Sequence, residues 1–281
     1  MLPVYKATRF LPIKVGICGK RRDLPMGVMQ RICPLGRSQE TIADGFAVDN
    51  ARPNERLLSY FFYNVRRYYR ASPLFRVMRE HLAPGQTFLD IGANLGFYSY
   101  LAKRDLGCGT ETFEPEPAHF AFLERNRRHY GGLHNLALSD DDGTVRFHVA
   151  NTGNPGASSL VSGDSGPDAT VYDRAIDVQA RRLDSLLTDP GRIGAIGMAK
   201  IDVEGAEAAV VAGMSGVLER NRFPIWCEVR GPQSGRNPDS YKAVGDLLAT
   251  HGYAPRVVTS RGSEPLAERH VRQVFDVLYL P

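Results

Sequence analysis

The spacing of apolar positions changes along the chain, and the change divides it. Over 52–81, Leu57, Leu58, Phe61, Phe62, Val65, Tyr68 and Tyr69 recur at helical spacing, which predicts an amphipathic helix interrupted at Pro73. Residues 1–50 are irregular and broken by prolines; the strand-like piece Ile13–Ile17 predicts a small hairpin or cover. After Pro84-Gly85 the pattern becomes regular. Short apolar runs predict strands at 87–91, 110–113, 134–138, 144–149, 176–180, 198–203, 224–229, 257–258 and 274–280. Between them, longer runs predict helices at 97–106, 117–130, 182–187, 206–220 and 239–251. Strands alternating with helices are the mark of an α/β protein with a parallel sheet and crossover helices. The expected organisation is an N-terminal extension over 1–83 and one α/β domain over 84–281. Residues 150–170 break the rhythm with turn formers, predicting either a mobile loop near the site or a surface insertion. The polar stretch 261–272 predicts a loop.

Composition narrows the picture only a little. The chain has 281 residues, 43% of them hydrophobic, enough for one large domain with an extension. Its formal charge of +4 is spread among interspersed acids and bases, unlike a nucleic-acid footprint. Arg66, Arg67 and Arg70 interleave with the apolar helix positions, so a membrane- or nucleic-acid-facing helix stands beside one packed on the domain. Cys18, Cys33, Cys108 and Cys227 form no C-x-x-C pair, and reduced thiols of a cytoplasmic protein are expected. No charged-then-apolar leader pattern and no run of 18 apolar residues occurs, so neither secretion nor membrane spanning is expected.

The chemistry concentrates where predicted strands end. The strand at 87–91 carries Asp90, then Gly92 and Gly96 lie four residues apart, and a helix begins at once. Glycines there let the backbone approach a ligand while free helix-start amides face it. Glu114, 24 residues after Asp90, ends the second strand, where an acidic side chain is placed to bind ribose hydroxyls. A dinucleotide fingerprint would read G-x-G-x-x-G; here the order is D-x-G-x-N-x-G. A carboxylate at Asp90 would repel a pyrophosphate and could accept from a cationic amino acid moiety, which fits S-adenosylmethionine better than NAD. A Rossmann-type oxidoreductase and a non-catalytic cofactor-binding partner protein are the competing readings.

Asp90-Ile-Gly-Ala-Asn-Leu-Gly-Phe-Tyr98, Phe113-Glu-Pro-Glu-Pro117, Asn135-Leu-Ala-Leu-Ser-Asp140 and Lys200-Ile-Asp-Val-Glu-Gly-Ala-Glu207 together resemble the FkbM-type family of S-adenosylmethionine-dependent O-methyltransferases. The resemblance covers roughly 84–231. It implies a class I methyltransferase (Rossmann-like) fold with a seven-stranded, mostly parallel sheet and helices on both faces. It also implies methyl transfer to hydroxyls of sugars, glycolipids or secondary metabolites. On this reading Asp90 and the Gly92-Ala93-Asn94 to Gly96 backbone would hold the methionine end. Glu114, followed by Pro115, would take the ribose, and the Leu138-Ser139-Asp140 turn would bracket the adenine. Asn94 could instead cap the next helix.

For the transfer itself, Asp202 and Glu204 are the candidates for the base that takes the acceptor's proton. Alternation sets Lys200 and Asp202 on one strand face and Trp226 and Glu228 on a face of the next, so Lys200 is expected against Glu228, Asp202 or both. If that pairing is catalytic, Lys200→Met should spare the fold. Asp202, Glu204 and Glu228 could alternatively gather a magnesium ion, which Lys200 disfavours by competing for the same carboxylates. No triad-like histidine is evident, and His119, His129 and His134 are expected to be structural. The acceptor is expected to be a small molecule.

Overall fold

The computed structural model describes residues 13–17, 20–24, 39–52, 55, 65–150, 158–160, 172–235 and 237–281. In the N-terminal part, β1 (Ile13–Ile17) pairs antiparallel with β2 (Lys20–Leu24), the hairpin that the sequence suggests, and β3 (Gln39–Thr41) pairs with β4 (Ala47–Asp49). Of the helix expected from Arg52 to the break at Pro73, residues 52, 55 and 65–72 are described, while Leu57, Leu58, Phe61 and Phe62 lie outside the described residues. It breaks as expected before Pro73. Ser72 accepts a hydrogen bond from the Phe75 amide and Pro73 occupies the first turn of α1 (Pro73–His81). Arg66 pairs with Asp44 and Asp105, and Arg70 with Asp105 at 2.7 Å, so these two arginines serve the packing of the helix on its own domain.

The domain then builds strand by helix: β5 (Thr87–Ile91), α2 (Phe97–Leu106), β6 (Gly109–Phe113), α3 (Pro117–Arg125), β7 (Gly132–His134), β8 (Ala137–Leu138), β9 (Gly143–Ala150) and β10 (Tyr172–Arg181). There follow α4 (Leu183–Leu186), α5 (Pro190–Gly194), β11 (Ile196–Ile201), α6 (Glu207–Ala212), α7 (Ser215–Arg220), β12 (Ile225–Arg230), α8 (Ser240–Thr250), β13 (Ala254–Thr259), β14 (Gly262–Pro265) and β15 (Val274–Leu280). The central sheet runs β14-β13-β15-β12-β11-β5-β6-β7. All its strands share one direction except β15 and β14, as the antiparallel pairings of β15 with β12 and β13 require.

Three expectations are corrected in detail. The polar 261–272 stretch is not wholly a loop: β14 folds back on β13, which makes the sheet eight-stranded rather than seven. The strand expected at 134–138 is divided. β7 joins β6, while β8 turns away to pair with β10 in a three-stranded side sheet β8-β10-β9. The helix expected at 206–220 is two, parted at Gly213 and Met214; Gly213 lies against the Ser139 backbone, where a Cβ would be 1.9 Å from its carbonyl oxygen.

Two apolar layers cover the sheet. One joins Phe88, Met198, Trp226 and Leu278 to α1, α2 and α3; the other joins Leu89, Ile201, Cys227 and Val277 to α4 through α8. Cys108 and Cys227 are buried free thiols. On the first face each strand changes character toward the same end of the sheet. Phe88 gives way to Asp90, Met198 to Lys200 and Asp202, Trp226 to Glu228, and the antiparallel β15 carries Asp276 beside Leu278. The apolar layer thus ends in a polar floor at the carboxyl edge, where open α/β sheets bind ligands.

Candidate active site

At the end of β5 the backbone enters the left-handed region at Gly92 (φ +75°), Asn94 (φ +54°) and Gly96 (φ +67°). A Cβ at Gly92 would meet the Asp202 carbonyl oxygen at 1.9 Å, so the turns after β5 and β11 touch only because it is glycine. Gly96 is the N-cap of α2, and a Cβ there would press on Leu123 and Tyr130. Without a capping side chain of its own, α2 borrows one: Asp90 Oδ2 accepts from the Ser99 amide (3.1 Å) and hydroxyl (2.7 Å). Asp90 is 1% exposed and lies beneath the loop. Asn94 does not cap the helix; its amide donates to Glu114 Oε2 at 2.7 Å.

Glu114 directly follows β6 with its carboxylate fixed from two sides, since Oε1 accepts from the Glu116 amide at 2.8 Å. Each oxygen keeps acceptor capacity for a diol. Gly92, Asn94, Glu114, Pro115, Leu138 and Asp202 all line one cleft over the carboxyl edge. Ala93 is buried with its amide on the Phe113 carbonyl, Ser139 is buried with its hydroxyl on Asp140, and Asp140 is exposed; these three, with Asp90 and Gly96, are not on the cleft wall. The cleft adds His119, Phe147, Ser158 and Leu160, which sequence reasoning did not mark as ligand-facing. His119 Nδ1 lies 3.2 Å from Glu116 Oε2 and 3.8 Å from Glu114 Oε1. Burial alone would hold its pKa down, but the Glu114 and Glu116 carboxylates outweigh that and raise it. Ser158 donates to Glu116 at 3.2 Å, so part of the 150–170 segment closes the cleft; the rest lies outside the described residues. A fixed diol acceptor, a glycine-tight loop and apolar walls from Leu138, Phe147 and Leu160 fit an adenosine group.

Beyond the glycine loop, Lys200 is 5% exposed and donates to the Gly92 carbonyl at 2.7 Å. Its Nζ is 3.5 Å from Asp90 Oδ1 and 3.4 Å from Asp202 Oδ2. Burial opposes its charge, but Asp202 and then Asp90 raise its pKa above the usual lysine value. The expected contact with Asp202 is present, whereas Glu228 is not among its ion-pair partners; Asp90, its register neighbour on β5, takes that place. Glu204 stands in the left-handed region (φ +59°) and pairs with Arg230. Such a conformation costs a non-glycine residue on the order of 1–3 kcal/mol and tends to occur at functional sites. Asp276, absent from the sequence reading, faces Glu228 across the β12–β15 ladder and accepts from Trp226 Nε1 at 3.0 Å. The visible signal was a charge inside the otherwise apolar run of β15. Tyr69 enters from the 65–70 helix, stacking on Phe97 at 5.1 Å, with its hydroxyl pushed up to about 12 by burial, against the pull of Lys200. Asp202, Glu204 and Glu228 bring ligand-type oxygens within 4.8 Å of one another. Two of these carboxylates are already matched by Lys200 and Arg230, cations that compete with magnesium for the same oxygens.

The strand order, with antiparallel β15 between β12 and β13, is that of the class I methyltransferases, and the chain is a methyltransferase of this class with S-adenosylmethionine as methyl donor. It belongs to the FkbM methyltransferase family, whose Methyltransferase FkbM domain matches residues 90–255. Among its relatives, the 2-O-methyltransferase NoeI of Sinorhizobium fredii (strain NBRC 101917 / NGR234) is 31% identical over 183 residues, which are 59% of this chain and 72% of that protein. The 31-O-demethyl-FK506 methyltransferase FkbM of Streptomyces tacrolimicus is 30% identical over 159 residues, 47% of this chain and 61% of that protein. Among solved structures, a methyltransferase FkbM from Methylobacillus flagellatus KT overlaps 71% of this chain and 44% of its own at 14% identity, with a TM-score of 0.45. Among the described residues no helix is long and apolar enough to cross a membrane.

Proposed function

We propose that this enzyme methylates a hydroxyl oxygen of a sugar, glycolipid or other secondary metabolite. The observation that carries the reading is the gathering of Asp202, Glu204 and Glu228, with Asp276 opposite Glu228 in the strand register; Asp202 and Glu204 line the cleft that fits adenosine. S-Adenosylmethionine supplies an electrophilic methyl group, and the protein must align the acceptor oxygen with it and remove the hydroxyl proton. A carboxylate-rich pocket suits that task. The relatives' names, a 2-O-methyltransferase and a 31-O-demethyl-FK506 methyltransferase, point the same way.

In this proposal the Gly92 and Asn94 backbone takes the methionine end, while Asp90, Ala93 and Gly96 shape the loop from beneath. Glu114 binds the ribose diol, with His119 bracing it. Pro115 and Leu138 flank the adenine, and the Ser139-Asp140 turn supports Leu138. Lys200 holds Asp202 in place, and the 1–83 extension covers the acceptor side through Tyr69. The test is isothermal titration with S-adenosylhomocysteine and with NAD, followed by incubation of labelled methyl donor with candidate glycosides and polyketides and mapping of the labelled atom. Binding of S-adenosylhomocysteine but not NAD, with label on oxygen, is expected. Label on nitrogen or carbon would defeat the hydroxyl assignment.

A further inference from the structure

We infer that Asp276, on the antiparallel strand β15, is the general base that takes the acceptor's hydroxyl proton, with Glu228 as its positioning neighbour. This rests on the O-methylation reading above. Of the four carboxyls at the acceptor end, Asp202 is committed to Lys200 and Glu204 to Arg230. A cation held against a carboxylate stabilises its charged form and makes it a weak base. Asp276 and Glu228 have no ion-pair partner among the described residues. They stand directly opposite in the β12–β15 register, on the face that carries Lys200 and Trp226, and both are half-buried at the carboxyl edge. Trp226 Nε1 anchors Asp276 through Oδ1, which leaves Oδ2 for a proton.

Like charges opposite one another resist joint ionisation. The groups around the pair decide which one yields. Lys200 faces it from β11, Asp202 and Glu204 from the loop after β11, and Arg230 from β12. Arg76 of α1 is turned to the Thr259 carbonyl of β13. Burial, then Asp202 and Glu204, push Glu228 well above the ordinary carboxylate value. Burial and Asp202 raise Asp276 to about 7, while the Trp226 hydrogen bond and Lys200 limit the rise. A base is most effective when it titrates near the working pH. In the step, the acceptor O–H bond breaks and its proton passes to the Asp276 carboxylate. The oxygen bonds to the methyl carbon as that carbon's bond to sulfur breaks, with the electron pair left on sulfur as a neutral thioether. Asp276 then returns the proton to water.

The test combines infrared titration of the ligand-free protein carrying carboxyl-13C aspartate with kinetics of Asp276→Asn and Glu228→Gln. One aspartate in the wild type should titrate near neutral pH, and that signal should vanish in Asp276→Asn and persist in Glu228→Gln. Transfer to a pool of alkyl glycosides should fall about 100-fold or more in Asp276→Asn. The rise of rate with pH should flatten, while S-adenosylhomocysteine affinity stays within about twofold, the last showing that the variant is folded. If no wild-type aspartate titrates between about pH 6 and 8 while oxygen is still methylated, or if Asp276→Asn keeps its rate and pH profile, the base assignment is overturned alone. Label appearing only on nitrogen or carbon, with the aspartate titrating as expected, overturns the O-methylation reading and the base role with it.

Discussion

Lys200→Met removes one buried charge and little volume. In the folded protein it takes the ion-pair partner from Asp90 Oδ1, an oxygen that accepts no hydrogen bond and belongs to a residue only 1% exposed. It also strips the Gly92 carbonyl of its 2.7 Å donor, at the turn where the loops after β5 and β11 meet. Breaking a buried pair by deleting one partner costs about 3–5 kcal/mol, because the surviving charge stays desolvated. For a chain of this size that corresponds to a melting temperature lowered by roughly 6–20 °C. Asp90→Asn added to Lys200→Met should recover at least half of the loss, since the carboxamide oxygen can still accept from Ser99. Thermal and urea melts of the two single variants and the double variant measure the coupling. The strand pattern alone allowed Lys200→Met to spare the fold; the geometry predicts the opposite. A single variant melting within about 2 °C of the wild type, or an Asp90→Asn change that rescues nothing, would refute the reasoning.

Glu114→Gln should weaken S-adenosylhomocysteine binding by about 1.5–3 kcal/mol, because a charged acceptor for the diol is lost; calorimetry giving the wild-type affinity would dismiss its ribose role. His119 has a raised folded pKa, so its stabilisation is complete below the unfolded value of about 6.5 and is lost as pH rises through the folded value. The melting-temperature advantage of wild type over His119→Gln should therefore shrink from about pH 6.5 upward, and an advantage that grows with pH would contradict the Glu114–Glu116 bracing. Methyl transfer should survive exhaustive chelation, because Lys200 and Arg230 already neutralise two carboxylates of the Asp202, Glu204 and Glu228 group. A dead enzyme restored by added magnesium would reverse that.

The sequence by itself determined the alternation of strands and helices, the glycine turn after Asp90, the acid at the end of the second strand and the break at Pro73. These are local matters: strand period, left-handed backbone and helix capping are settled within a few residues. Legible from the same alternation was that Lys200 and Asp202 share a face. Only the tertiary structure decided what that face meets. Asp90 reads locally as a ligand-binding carboxylate, yet its side chain is spent on the start of α2 and on Lys200, because Gly96 cannot cap its own helix. Gly96, from the same motif, packs inward, while Gly92 alone is pressed against the neighbouring loop. Asp276 showed in the sequence only as a charge within an apolar run, because β15 reaches the cluster by inserting antiparallel between β12 and β13, a pairing between segments about 50 residues apart. His119 likewise joins the cleft through its distance to Glu114 and Glu116. Which carboxylate is neutralised, and which is left to accept a proton, depends on distances and burial among five strand ends, and no spacing within one strand encodes those.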